Sequence, residues 1–285
     1  MRYGIHFHSY GDYSDPRLMA ELAHDADEAG WDGVFVSDHV TVRTAAGPQP
    51  VADPWIALTA IAMATKRVQL GPMVAAVPRR RPWQLATETA TLDRLSNGRL
   101  ILGVGSGTAL DWSFTPFGEE ANLRTRAEML DEGLELISAF WSGEPVTFEG
   151  KHYQVHDAQL LPRPVQSPRI PVWVAGTWPH PRPFRRAARW DGFFADVEGV
   201  DWTVGEMQTP AHLRAMVDFV RTLRPLDATF DVVIGGSTPR DPGAAARFLA
   251  PYIEVGLTYW IEAIHPQFGT LAEFRTKIRQ GPPRG

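Results

Sequence analysis

The stretch RPWQLATETATLDRLSNGRLILGVGSG, residues 81–107, decides the fold class. Pro82 suits the first turn of a helix, where a missing backbone N–H breaks no hydrogen bond. Asn97 and Gly98 tolerate the left-handed backbone that stops a helix. Leu100–Ser106 then reads as a short buried strand bounded by glycine. A helix, a two-residue stop and an apolar strand in this order form one unit of an α/β chain.

The same punctuation recurs on both sides. Strands are expected at Tyr3–Ser9, Gly33–His39, Val68–Ala75, Leu100–Ser106, Pro171–Ala175, Gly192–Val197, Phe230–Gly235 and Thr258–Ile264. Between them Ser14-Asp15-Pro16, Asp53-Pro54, Arg81-Pro82, Thr209-Pro210 and Asp241-Pro242 open helices. A long helix is expected over Gly118–Trp141, a basic one over Phe184–Trp190, and a last one over Leu271–Arg279. Residues 144–170 break the rhythm and read as a hairpin followed by an extended proline-rich segment. Eight strand–helix units predict a single (β/α)8 TIM barrel over residues 1–285, with that hairpin inserted between the fourth helix and the fifth strand. The competing open, doubly wound sheet needs a glycine-rich turn after the first strand, and His8-Ser9-Tyr10-Gly11 is not one.

Composition narrows the partners. The chain has 285 residues, a formal charge of −5 and no cysteine. No basic face points to nucleic acid. Disulfides and thiolate chemistry are excluded. No apolar run reaches a membrane span and no signal peptide is evident, so the expected location is cytoplasmic.

Barrel enzymes carry their chemistry at the C-terminal ends of the strands. Those ends offer His6, His8, Asp38, His39, Met73, Val74, Gly105, Ser106, Gly107, Ala175, Gly176, Thr177, Trp178, Asp196, Glu198, Glu262 and His265. His6 and His8 share one face of a strand. They resemble the first ligands of a metal-dependent barrel hydrolase, with His180 as a third, or they line a pocket without metal. Glycines at 105 and 107 let backbone approach a flat ligand. The turn at Gly176–Trp178 could offer amides to a phosphate. Arg182, Arg185 and Arg186 add positive charge to the following helix.

Several segments together resemble the luciferase-like monooxygenase family, which uses FMN or the deazaflavin coenzyme F-420. They are Glu28-Ala29-Gly30-Trp31-Asp32-Gly33 through Asp38-His39, Arg67–Val74 with Arg79-Arg80-Arg81-Pro82, Leu92–Gly107, Thr147–Tyr153 and Pro171–Gly176. The resemblance implies a non-covalent FMN or coenzyme F-420 lying across the barrel mouth. It implies His39 as proton carrier beside Asp38, with Glu262 on the substrate side. His6, Met73, Val74, Gly105, Ser106, Gly107, Ala175, Gly176, Thr177 and Trp178 would hold the cofactor, with a cis peptide at Met73–Val74. It further implies a small-molecule substrate, a homodimer and, for FMN, a separate flavin reductase. No metal is expected. A relative that binds flavin without catalysis is the remaining alternative.

Overall fold

Backbone groups of a strand must pair, and here they pair around a ring. The computed structural model describes residues 1–108, 112–201, 206–225, 230–265 and 268–284. In chain order the strands are β1 (Arg2–Phe7), β2 (Gly33–Val36), β3 (Val42–Thr44), β4 (Gly47–Gln49), β5 (Gln69–Pro72), β6 (Ala75–Ala76), β7 (Leu102–Gly105), β8 (Val146–Glu149), β9 (Gln154–Ala158), β10 (Val172–Trp178), β11 (Gly192–Val197), β12 (Asp231–Gly236) and β13 (Tyr259–Ile264). The main sheet is wholly parallel and runs β5-β2-β1-β13-β12-β11-β10-β7-β6. β5 and β6 are two halves of one barrel strand. That strand also meets β7: Leu70 bridges Leu100, and Ala75 and Ala76 pair with Val104 and Gly105. The ring therefore closes with eight strand positions. Closure demands glycine at 71, because a Cβ there would lie 1.9 Å from the Ile101 carbonyl oxygen.

The helices are α1 (Pro16–Glu28), α2 (Pro54–Ala64), α3 (Pro82–Leu95), α4 (Leu123–Trp141), α5 (Pro181–Ala187), α6 (Pro210–Arg221), α7 (Pro242–Val255) and α8 (Leu271–Gln280). Six of these eight begin with proline, which accounts for part of the high proline content. Asp15, Asp53 and Asp241 cap α1, α2 and α7 by accepting from the first free backbone N–H groups. α5 starts at Pro181, earlier than the expected Phe184, with proline in its first turn. Between α4 and β10, β8 and β9 pair antiparallel. A further small hairpin, β3 with β4, lies between β2 and α2 and was not expected.

Two apolar cores result. The larger packs Ile5, Phe7, Val34, Val36, Val174 and Trp260 outward against the helices. The smaller fills the barrel with Phe35, Met73, Ile101, Trp173, Val233, Tyr259 and Ile261. Strand alternation sorts residues between them. On β1, Ile5 and Phe7 point out and His6 lines the inside; on β13, Ile261 points in and Trp260 points out. The N-terminal end of the barrel is plugged by Asp231, which accepts from Arg2, from Thr258 (2.9 Å) and from the Trp173 ring nitrogen (3.2 Å).

Candidate active site

Above the inner core the barrel opens into a cavity of about 760 Å³ at the C-terminal strand ends. That is the size range of a cofactor pocket. Its walls bring together most of the expected residues: His6, His39, Asp38, Met73, Val74, Gly105, Ser106, Gly107, Ala175, Gly176 and Thr177. The Met73–Val74 peptide is cis.

One wall is made of rings from β1 and the loops after β1 and β2. The His6 and His8 rings lie 4.5 Å apart, and His265 meets His8 edge-on at 4.6 Å. Tyr10 shares a hydrogen bond with His265 Nε2, and its ring stands 6.1 Å from that of His39. Burial, then the neighbouring His39 and His265, push the His6 pKa down to about 3. His8 is lowered by burial first, then by His6, His265 and His39, and His265 is lowered by burial. Desolvation opposes the imidazolium, so His6 and His8 stay neutral near pH 7. His6 Nε2 is buried with no hydrogen-bond partner among the described residues.

Asp38 has the opposite strand parity to His39 and turns away from the cavity centre. Its carboxylate meets Arg79 at 2.8 Å and Arg80 at 3.0 Å and accepts the Ala76 N–H at 3.2 Å. A carboxylate this buried needs such partners. These contacts tie the segment after β6 to the end of β2. The paired arginines missed by sequence reasoning were present in Arg79-Arg80. A buried strand-end acid is the signal that a cation must come to meet it.

The facing wall is mostly backbone. Gly107 adopts φ +75°, and a Cβ there would lie 2.5 Å from the Phe114 ring. Arg126, buried in α4, stacks on Phe114 at 4.1 Å and donates to the Thr108 carbonyl at 3.2 Å, holding this turn in place. β10 pairs with β7 only as far as Val174, while its pairing with β11 runs to Trp178. Alternation directs the Thr177 backbone toward the β7 side, beyond the last paired residue, and that of Gly176 and Trp178 toward β11.

Three expectations need correction. Glu262 does not face the substrate side. It points outward with Trp260, is 1% exposed, and accepts from Lys277 Nζ (2.6 Å), Trp260 Nε1 (3.1 Å) and Thr238. The Trp178 backbone, expected to offer an amide to a phosphate, faces β11, where its carbonyl accepts the Glu198 N–H at 2.8 Å, and its ring packs on Phe184 and Phe219. The basic residues of α5 face α4: Arg186 forks onto Asp131 at 2.7 and 2.8 Å, and Arg182 and Arg185 line a separate groove beside it. The hydrolase ligand set is not assembled either. His180 is exposed beside Glu198, 3.6 Å away, and no group of three potential metal ligands occurs among the described residues. No helix among them is long and apolar enough to cross a membrane.

Fold and cavity together define a class: an α/β barrel with a ligand-sized cavity at the carboxyl ends of its strands, lined by histidines and bare backbone. Residues 4–221 match the family model described as luciferase-like monooxygenase, and the chain belongs to that family. It is 35% identical over 242 residues to an F420-dependent glucose-6-phosphate dehydrogenase of Amycolatopsis mediterranei, covering 83% of this chain and 70% of that one. A protein of the same name from Kineococcus radiotolerans is 36% identical over 244 residues, covering 83% and 69%. The fold matches an F420-dependent secondary alcohol dehydrogenase solved with an F420-acetone adduct, with TM-score 0.78, 18% identity, and coverage of 99% and 98%.

Proposed function

We propose that this chain is a deazaflavin-dependent oxidoreductase that moves a hydride between coenzyme F-420 and a small organic substrate, with His39 handling the accompanying proton. The residues present fit a flat ring with a polar edge and an anionic tail. His6 Nε2 is a buried polar atom with no hydrogen-bond partner among the described residues, on a side chain that lines the cavity, and it carries the reading. Such an orphan costs free energy unless a ligand meets it. Met73 and Val74 give an apolar bed, and the Gly105 and Gly107 backbone permits close approach. Thr177 leaves strand-end backbone for the tail. The names of the relatives favour the deazaflavin over FMN.

When bound, the deazaflavin supplies a two-electron hydride acceptor or donor; the protein orients it and manages charge. His39 stands at the end of β2 on the cavity wall, half-buried, where it can take a proton from a substrate hydroxyl or return one. Asp38 keeps the His39 backbone in place through Arg79, which donates to the Asp38 carbonyl at 3.2 Å. The neutral His6 offers a hydrogen bond without adding charge.

Fluorescence titration of the purified protein with coenzyme F-420, FMN and reduced FMN tests this. Micromolar or tighter binding of coenzyme F-420, with FMN weaker, is expected. Tight binding of FMN with none of the deazaflavin overturns it.

A further inference from the structure

The cavity wall is poor in cations. Asp38 is occupied by Arg79 and Arg80, which leaves Arg43, Asp196 and Glu206 as its other charged side chains among the described residues. None of the residues outside the described set is lysine or arginine. Arg43 is exposed on β3 at the rim, with its guanidinium over Trp112 at 5.9 Å. Lys277 is turned away onto Glu262. Arg79 and Arg80 are committed to Asp38, and Arg126 stands behind Gly107 on the β7 side, so among the described residues the β11 side of the cavity has no guanidinium or ammonium to meet a phosphate ester, whose recognition ordinarily uses one.

Asp196 is the acid the chemistry above leaves unused. It sits on β11 with its carboxylate open to the cavity. Among the described residues no hydrogen bond or ion pair to it is found. It is exposed at the mouth, and the protein around it still raises its pKa by desolvation. β2 and β11 are four places apart in the eight-position ring, so His39 and Asp196 face each other across the mouth. Glu206 adds a second acid nearby, held by the Asp201 N–H at 2.9 Å. The Thr177 backbone, though next to Asp196 in register, faces the β7 side, so an anionic tail there would lie away from the carboxylate.

We propose that Asp196 is the substrate-binding carboxylate: it accepts a hydrogen bond from a hydroxyl of an uncharged alcohol, and the acid-lined substrate side excludes phosphate esters. The proposal rests on the redox reading for its substrate and departs from the relatives' named substrate, glucose 6-phosphate. One carboxylate charge at about 7 Å in a water-like medium changes the local concentration of a monovalent anion about threefold.

Two measurements test it. Calorimetric titration with glucose 6-phosphate, with and without coenzyme F-420, is expected to show no saturable binding in the millimolar range. Iodide and acrylamide quenching of the bound deazaflavin is then compared between wild type and Asp196→Asn. The iodide constant is expected to rise about threefold, with the acrylamide constant and the deazaflavin affinity unchanged. Sub-millimolar binding of glucose 6-phosphate, or an unchanged iodide constant, overturns the proposal. A large loss of deazaflavin affinity in Asp196→Asn would assign the carboxylate to the cofactor instead and also overturn it. If the wild type binds no deazaflavin, the cofactor reading falls, and the sugar-phosphate titration still judges the charge argument alone.

Discussion

Asp38→Asn separates charge from shape at the end of β2. The Asp38 side chain is 1% exposed, and those of Arg79 and Arg80 are 6% and 19% exposed. The asparagine amide oxygen can still accept the Ala76 N–H, which now lies at 3.2 Å. What is lost is the negative charge between two guanidinium groups. Removing one partner of a buried pair costs about 3–5 kcal/mol, because the remaining charge is stranded. The cation–π contacts of Arg79 with Phe114 and of Arg80 with Trp55, both at 5.5 Å, soften this cost without replacing a carboxylate. Each kcal/mol moves the melting temperature of a chain this size by about 2–4 °C, so a fall of roughly 6–20 °C is expected. Urea unfolding followed by circular dichroism measures the loss directly. The loss should persist at high salt, since buried charges are little screened. A destabilisation under about 1 kcal/mol would refute the view that the Asp38 charge organises this end of the barrel.

Four further outcomes are expected. His39→Ala should lower kcat by about 10²–10⁴-fold while coenzyme F-420 affinity, read by fluorescence, stays within a few-fold. Glu262→Gln should destabilise the fold by about 3 kcal/mol, because Lys277 loses its counter-charge, yet leave cofactor affinity unchanged; a tenfold loss of affinity would return Glu262 to the cavity wall. Acid should unfold the protein through the buried histidines: with the folded His6 pKa near 3 and an unfolded value near 6.5, stability is full above about pH 6.5 and falls by about 1.4 kcal/mol per pH unit per histidine below it. His6→Asn should make the slope between pH 6 and 5 shallower by one proton, and an equally steep slope would remove His6 from that account. Gly107→Ala should weaken cofactor binding and cost about 1–3 kcal/mol, since φ +75° and the 2.5 Å approach to Phe114 both oppose a methyl group.

Much of this fold is readable from punctuation. The Arg81–Gly107 reading holds because proline and Asn97-Gly98 act locally, through backbone conformation alone. Closure of the ring is less local, yet eight alternating units leave few other arrangements. Side-chain direction was harder to read. Trp260-Ile261-Glu262-Ala263 sits in a parallel strand buried on both faces, so hydrophobicity does not alternate and parity is hidden. The family resemblance put Glu262 on the substrate side, and no alternation in this strand spoke against it. The partners of buried charges were also invisible. Arg186 meets Asp131 and Arg126 meets the Thr108 carbonyl across 55 and 18 residues of chain, and helical periodicity marks neither pair. The β3–β4 hairpin was missed because three-residue strands carry almost no pattern.

Two acids face the barrel interior from adjacent strands, and comparing them shows where the molecule is built for stability and where for a ligand. Asp231 on β12 lies at the closed end. Burial raises its pKa, and Arg2, Thr258 and Trp173 pull it back. Asp196 on β11 lies at the open end, exposed on the cavity wall with no hydrogen bond or ion pair among the described residues, and the protein around it raises its pKa by desolvation. Buried Asp231 would lower stability without its donors, whereas exposed Asp196 is met by water until a ligand displaces it. Among the described residues neither Asp196 nor His6 Nε2 has a hydrogen-bond partner, and both residues line the cavity. His6 on β1 and Asp196 on β11 stand three places apart in the ring, and a molecule seated between them would meet each. The arrangement therefore favours a ligand that brings one hydrogen-bonding edge to the histidine wall and one hydroxyl to the acid wall, which is the geometry expected of a cofactor and a substrate stacked between β2 and β11.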